Sequence, residues 1–280
     1  MNDLLKRTLT GVWIVVFILG GFWLHPVSFY LTGLIILAGI QYEYYCMIRE
    51  AGTRPQTIAG IVTGALLYTV STLTASGTLP LSTFLFLIPA GIAIIIIELY
   101  RRNERPFDSL AHTFFALIYA AVPFSFLPHA AFARTGIESI LPHPGIAFSP
   151  GIVVGYFILL WINDTGAYLV GISFGRHRLM ERISPKKSWE GFLGGMLLTA
   201  IVAYFIAAWL GVVSRSVWIV IALTISVIGT FGDLAESMLK RSLGLKDSGS
   251  IMPGHGGFLD RFDSAVISFP MVYLFVSLFG

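Results

Sequence analysis

Carboxylates and cations recur at helical spacing near the C-terminal end of this chain, where the flanking sequence is almost wholly apolar. In "GTFGDLAESMLKRSLGLKDSGSIMPGHGGFLDRFDS", residues 229–264, Asp233, Glu236, Ser237, Lys240 and Arg241 stand three and four apart, the spacing that places side chains on one helix face. A polar loop follows, with Lys246, Asp247, His255 and the glycines Gly244, Gly249, Gly254, Gly256 and Gly257. Glycine lets backbone N–H groups come close to an anion. Asp260 and Asp263, three apart, then open another apolar run. Carboxylates are oxygen ligands for Mg2+, which binds through one or two of them plus substrate phosphates. Lys and Arg neutralise the remaining phosphate oxygens. Such a set suits phosphate transfer better than proton transport, which needs fewer cations. A plainer reading pairs Glu236 with Lys240 and lets Asp233 snorkel, although ionisable residues inside spans are functional by default. Simple N-capping explains one of Asp260 and Asp263, but neither Asp233 nor His255.

Two further clusters carry charge. "SPKKSWEG", Ser184 to Gly191, enters an apolar run; Ser188 reads as an N-cap and Glu190 falls in the first turn. Lys186 and Lys187 could hold phosphates or anchor the chain against anionic headgroups, and the nearby "GRHR", Gly175 to Arg178, adds cations. "WINDTGAYLVG", Trp161 to Gly171, places Asn163 and Asp164 within a span. There they need partners in the bundle. Three roles stay open for them: neighbour of a metal site, contact to a nucleotide ribose, or structural partner for another span.

The elements that must position these residues are transmembrane helices. Of 280 residues 56% are hydrophobic and only 12% charged, half the usual share of about 25%, and the mean hydropathy is +0.81. Apolar runs near 20 residues match the length of a membrane-crossing helix. Nine spans are predicted, at 10–25, 27–48, 57–76, 81–100, 110–128, 150–172, 190–210, 216–239 and 262–279. The first, after Lys6 and Arg7, has no small-x-small cleavage site behind it and reads as a span, not a signal peptide. Sixteen of the eighteen Lys and Arg fall on alternate segments beginning with the N-terminus. Cytoplasmic loops carry that excess, so the N-terminus and the charged clusters are expected on the cytoplasmic side. The pI near 9.0 then reflects topology, and no nucleic-acid partner is expected. The single cysteine, Cys46, excludes an internal disulfide and a cysteine-built metal site. Glu43 is open between an intramembrane partner and a reach to the interface with Arg49; Glu98, Arg101 and Arg102 suggest an interfacial collar. The expected organisation is one integrated, all-α membrane domain, with N-terminal helices in 1–150 and the chemistry in 151–280.

Residues 237–263, "SMLKRSLGLKDSGSIMPGHGGFLDRFD", resemble the C-terminal signature of the phosphatidate cytidylyltransferases, or CDP-diacylglycerol synthases. Ser237, Lys240, Arg241, Lys246, Asp247, Gly249, Pro253, His255, Gly256, Gly257, Asp260, Arg261 and Asp263 occupy the signature's places, and Met252 stands where the family usually has Leu, Ile or Phe. "DTGAYLVG", "GRHR", "ISPKKSWEG" and "GDLAES" also resemble family segments, so the likeness covers roughly residues 160–264. The resemblance implies the reaction of CTP with phosphatidic acid to CDP-diacylglycerol and pyrophosphate. It implies Mg2+ at Asp233 and Asp260, with room for a monovalent ion such as K+ as a second ion, and Asp263 in support. It also implies a homodimer in the bilayer. Lys186, Lys187, Lys240, Arg241 and Arg261 become candidate phosphate contacts. Ser188, Ser237, Lys246, Asp247, His255, Gly256, Gly257 and Asp164 join them as candidate substrate-binding residues, with His255 a hydrogen-bond donor and not a base. A CTP-dependent polyprenol kinase is the rival with a similar site. A CDP-alcohol phosphotransferase would need D-G-x-x-A-R, which is missing, and a transporter of two inverted halves would need a repeat that the chain lacks.

Overall fold

The computed structural model describes residues 3–132, 147–245, 248–249 and 256–280, with side chains from residue 11 onward. Lys246, Asp247 and His255, all expected at the site, lie outside the described residues.

Long apolar runs become helices because a backbone in hydrocarbon must satisfy its own hydrogen bonds. Among the described residues, α1 is Asp3–Leu24, α2 Pro26–Glu50 and α3 Thr57–Ala75; α4 is Leu81–Tyr100 and α5 Pro106–Phe132. Then come α6, Gly151–Phe174, and α7, Trp189–Leu210, followed by α8, Arg215–Ser242, and α9, Leu259–Phe279. The eight helices α2 to α9 are long and apolar enough to cross a membrane, while α1 holds a shorter apolar stretch, Gly11–Leu24. Helices thus stand at all nine predicted positions, eight of them of spanning length. Large apolar side chains are exposed along α4 (Ile88, Ile92, Ile96, Leu99) and α7 (Leu193, Leu197, Ile201, Phe205), as expected of faces turned to lipid and unlike the polar surface of a soluble protein.

One departure from helix was not expected. Within the segment between α6 and α7, Arg178–Met180 (β1) and Ser184–Ser188 (β2) pair as an antiparallel hairpin, Arg178 opposite Ser188 and Met180 opposite Ser184, with an irregularity between.

The chain forms two compact units. Unit one contains residues 1–129 and 242–262; unit two contains 130–241 and 263–280. In unit one, Phe22, Phe29, Tyr44, Tyr45 and Tyr68 are fully buried. The Tyr45 hydroxyl donates to the Thr113 carbonyl at 3.0 Å, and Tyr44 shares a 2.8 Å hydrogen bond with His112. Glu98 is more than an interfacial collar residue: it is 3% exposed and accepts from Gln56 Nε2 at 2.7 Å, Arg101 at 2.8 Å and Asn103 at 3.0 Å. In unit two, Tyr156, Phe157, Trp218 and Phe269 form the core. The Tyr156 ring meets Phe269 edge-on at 4.9 Å, and the Tyr156 hydroxyl is 2.7 Å from that of Ser268.

Candidate functional site

Unit two holds a cavity of about 520 Å³ into which several expected residues converge: Asp164, Lys186, Lys187, Ser188 and Asp233, with Arg178 beside them. Local structure explains each. The Ser188 side chain accepts the Gly191 N–H at 3.2 Å, so it caps α7 as its sequence context predicts. Glu190 accepts from the backbone N–H of Arg176 and His177 at 3.1 and 3.2 Å and meets His177 Nδ1 at 2.6 Å. That ties the start of the hairpin to the start of α7, and the hairpin in turn presents Arg178, Lys186 and Lys187 to the cavity.

Asp233 comes from α8. A π turn at Ile225–Gly229 interrupts this helix one turn earlier, a feature common near functional sites. Ser226 on that turn donates to Asn163 Oδ1 at 2.7 Å, and both are buried. Asn163 therefore has a structural partner, although it also lines the cavity. Its neighbour Asp164 is exposed towards the same cavity. Gly232 lets α9 close on α8: a Cβ there would stand 2.9 Å from the Asp263 carbonyl and 3.0 Å from Ser264 Cα.

The electrostatics of unit two are paired but not neutralised. Asp233 ion-pairs with Lys187, and its Oδ1 accepts the Ser237 hydroxyl at 3.3 Å. Asp263 is half-buried within electrostatic reach of Asp233, Glu236 and Asp164. Lys240 meets Glu236 at 2.6 Å, so the pairing that the plainer reading of the sequence contains is formed, and Asp233 has its own partners besides. Lys186 and Lys187, not Lys240, are the lysines that line the cavity. Arg241 is exposed at the end of α8. The lining also includes the apolar side chains of Ala167, Ile172, Leu179 and Phe192. A cavity lined by both charged and apolar side chains suits an anionic amphiphile.

The remaining expected residues belong to unit one. Asp260 lies in the first turn of α9. Its Oδ2 accepts the N–H of Gly257 at 3.1 Å and of Ser248 at 3.3 Å, so it organises the preceding loop as a capping carboxylate does. Gly256 has φ +81°, a left-handed conformation in which a side chain would be strained, and Gly257 is buried. Arg261 is exposed. One residue near Asp260 was left open in the sequence between an intramembrane partner and a reach to the interface, and the structure gives the first. Glu43 of α2 is 1% exposed and accepts the Leu259 N–H at 2.9 Å and the Ser248 hydroxyl at 3.3 Å. Its intramembrane position was the only signal of this role.

The donors suit a hard cation only in part. Asp, Ser and Thr oxygens dominate, as Mg2+ prefers. Among the described residues, however, no three His, Cys, Asp or Glu side chains are grouped to hold a metal ion.

Comparison of the sequence with known proteins finds a matching family and relatives. A sequence model of the cytidylyltransferase family matches residues 5–279. A phosphatidate cytidylyltransferase of Staphylococcus aureus (strain COL) is 39% identical over 181 residues, 58% of this chain and 66% of that protein. One of Staphylococcus haemolyticus is 37% identical over 203 residues, covering 65% and 76%. One of Staphylococcus epidermidis (strain ATCC 12228) is 38% identical over 177 residues, covering 58% and 66%. The chain thus spans 66% of the length of the Staphylococcus aureus relative. With the family model running along nearly all of the sequence, this chain belongs to the cytidylyltransferase family.

Proposed function

We propose that this protein transfers the cytidylyl group of CTP to phosphatidic acid, giving CDP-diacylglycerol and pyrophosphate for phospholipid synthesis. The observation that carries the reading is the cavity of unit two. Arg178, Lys186 and Lys187 line it together with Asp164 and Asp233 and with apolar side chains such as Ile172 and Phe192. A lipid phosphate and a nucleotide triphosphate both need the cations, and acyl chains need the apolar side chains.

In the proposed step a phosphate oxygen of phosphatidic acid attacks the α-phosphorus of CTP. The new P–O bond forms as the bond from α-phosphorus to its bridging oxygen breaks, and pyrophosphate leaves with that electron pair. A phosphate monoester is already ionised near pH 7, so no general base is required. The chemistry calls instead for charge compensation between two anions. Lys186 and Lys187 are assigned to phosphate oxygens, and Ser237 holds Asp233 in orientation. Asp233 and Asp260 are the carboxylates assigned to Mg2+ on the strength of the signature, with K+ as a second ion. Bound there, Mg2+ supplies Lewis-acid neutralisation of phosphate charge. Arg241, Arg261, Lys246, Asp247 and His255 complete the assigned substrate contacts. The charge pattern of the loops supports a cytoplasmic site in a bacterial inner membrane, and the family resemblance supports a homodimer.

The test uses purified protein in detergent micelles with labelled CTP, Mg2+ and either phosphatidic acid or a polyprenol. CDP-diacylglycerol and pyrophosphate are expected from the first mixture only, with activity lost in EDTA and restored by Mg2+. Phosphorylated polyprenol with release of CDP would establish the kinase reading instead.

A further inference from the structure

A carboxylate inside a membrane helix is costly unless it is ligated, and Glu43, in the second half of α2, is 1% exposed. Among the described residues, its hydrogen-bond donors lie within the signature. Oε2 accepts the Leu259 N–H at 2.9 Å and the Ser248 hydroxyl at 3.3 Å. Ser248 in turn donates its own N–H to Asp260 Oδ2 at 3.3 Å, and Gly257 donates to the same oxygen at 3.1 Å. One chain of hydrogen bonds therefore runs from Glu43 through Ser248 to Asp260, and a second link reaches the first residue of α9.

Two signature glycines are explained by the same carboxylate. A Cβ at Gly249 would lie 3.1 Å from Glu43 Oε1, and a Cβ at Gly257 would overlap both Glu43 Oε2 and Ser248 Oγ. At Gly257 no side chain fits against the carboxylate, and at Gly249 one would fit only if the carboxylate shifted. Among the described residues Glu43 Oε1 accepts no hydrogen bond. A buried carboxylate oxygen that accepts from both Ser248 and Leu259 is placed to fix the orientation of that segment.

We propose that Glu43 is a positioning residue for cytidylyl transfer: by holding Ser248 and Leu259 it fixes where the Asp260 carboxylate stands. The inference rests on the function proposed above. It identifies a helix outside the signature as part of the working site.

The test compares full-length wild type with Glu43→Ala, Glu43→Gln and Ser248→Ala, purified in micelles. Two readouts are taken: kcat and KM for CTP at saturating phosphatidic acid, and amide hydrogen exchange of the peptide covering Gly256–Phe262. Glu43→Ala is expected to lower kcat about 30-fold or more with KM within about threefold, and to speed exchange in that peptide about tenfold, because both acceptor bonds are lost. Glu43→Gln keeps one acceptor oxygen and is expected to recover much of both. If Glu43→Ala does not fold, Glu43→Gln and Ser248→Ala serve in its place. Their effects on kcat should then be non-additive in the double variant, since they share one hydrogen-bond chain. Wild-type kcat in the variants, unchanged exchange, or full additivity would each overturn the proposal. A wild type inactive towards phosphatidic acid would sink the functional reading, while the exchange arm would still decide whether Glu43 anchors the loop.

Discussion

Lys187 of the hairpin ion-pairs with Asp233 of α8, and the two side chains are 27% and 33% exposed. A pair this open to solvent adds at most about 1 kcal/mol to stability. It lies at a cavity that Asp164, Lys186 and Arg178 also line, so the proposed function predicts a larger effect on binding than on folding. Asp233→Ala is expected to abolish CDP-diacylglycerol formation, and Lys187→Ala to lower kcat/KM for CTP about 100-fold. Both should leave the thermal midpoint in micelles within a few degrees of wild type. Near-normal turnover by Asp233→Ala would refute its assignment to the metal.

Asn163 and Asp164 are neighbours in sequence with different surroundings. Asn163 is 5% exposed and takes the Ser226 hydroxyl at 2.7 Å; Asp164 is exposed to the cavity. Interhelical hydrogen bonds in membranes average about 0.6 kcal/mol, and up to about 1.7 kcal/mol. Ser226→Ala should therefore cost stability of that order, with kcat/KM reduced only slightly. Asp164→Asn should show the reverse, a loss of kcat/KM of about tenfold or more with little change in unfolding. Equal stability losses in the two variants would remove the distinction.

Hydropathy made the helices legible because each is a mainly apolar run bounded by charge, glycine or proline, as at Glu50, Gly175 and Pro80. The Ser188 cap was legible for a similar local reason: a short hydroxyl side chain followed by an acidic first turn. The hairpin at Arg178–Ser188 was not, because its strands are only three and five residues long, and hydropathy alone reads such a segment as loop. Glu43 illustrates the other limit. Its nearest listening groups lie 205 and 216 residues away in sequence, so only packing could reveal them. The same holds for Asn163 and Asp164, since adjacent residues on a helix point about 100° apart and composition does not say which one faces the cavity.

Gly232 offers a test of how closely α8 and α9 must approach. A Cβ there would meet backbone atoms at 2.9 and 3.0 Å, and backbone cannot rotate away as a flexible side chain can. Gly232→Ala is expected to destabilise the protein by about 1–3 kcal/mol, the usual range for overpacking. It should also lower kcat, because the helices carrying Asp233 and Asp263 would be pushed apart. Steady-state kinetics and thermal unfolding of the same preparation measure the two effects together. An unchanged melting midpoint would show that the helix pair has slack that this structure does not contain.

Glu98 tests the N-terminal helices in isolation from the assigned chemistry. It is 3% exposed and accepts three hydrogen bonds, from Gln56, Arg101 and Asn103, while the Arg101 side chain is 30% exposed. Removing the carboxylate would strand the buried Gln56 amide, which also donates to the Ile94 carbonyl at 2.8 Å. Arg101, being partly hydrated and also bonded to Ser109 at 3.1 Å, would lose less. Leaving a buried polar group unsatisfied costs about 1–3 kcal/mol. Glu98→Ala should lower stability by that amount, and Glu98→Gln, which retains an acceptor, by less. Retained wild-type stability in Glu98→Ala, measured by thermal unfolding in micelles, would mean that Gln56 and Arg101 find other partners and that the network does not hold α3, α4 and α5 together.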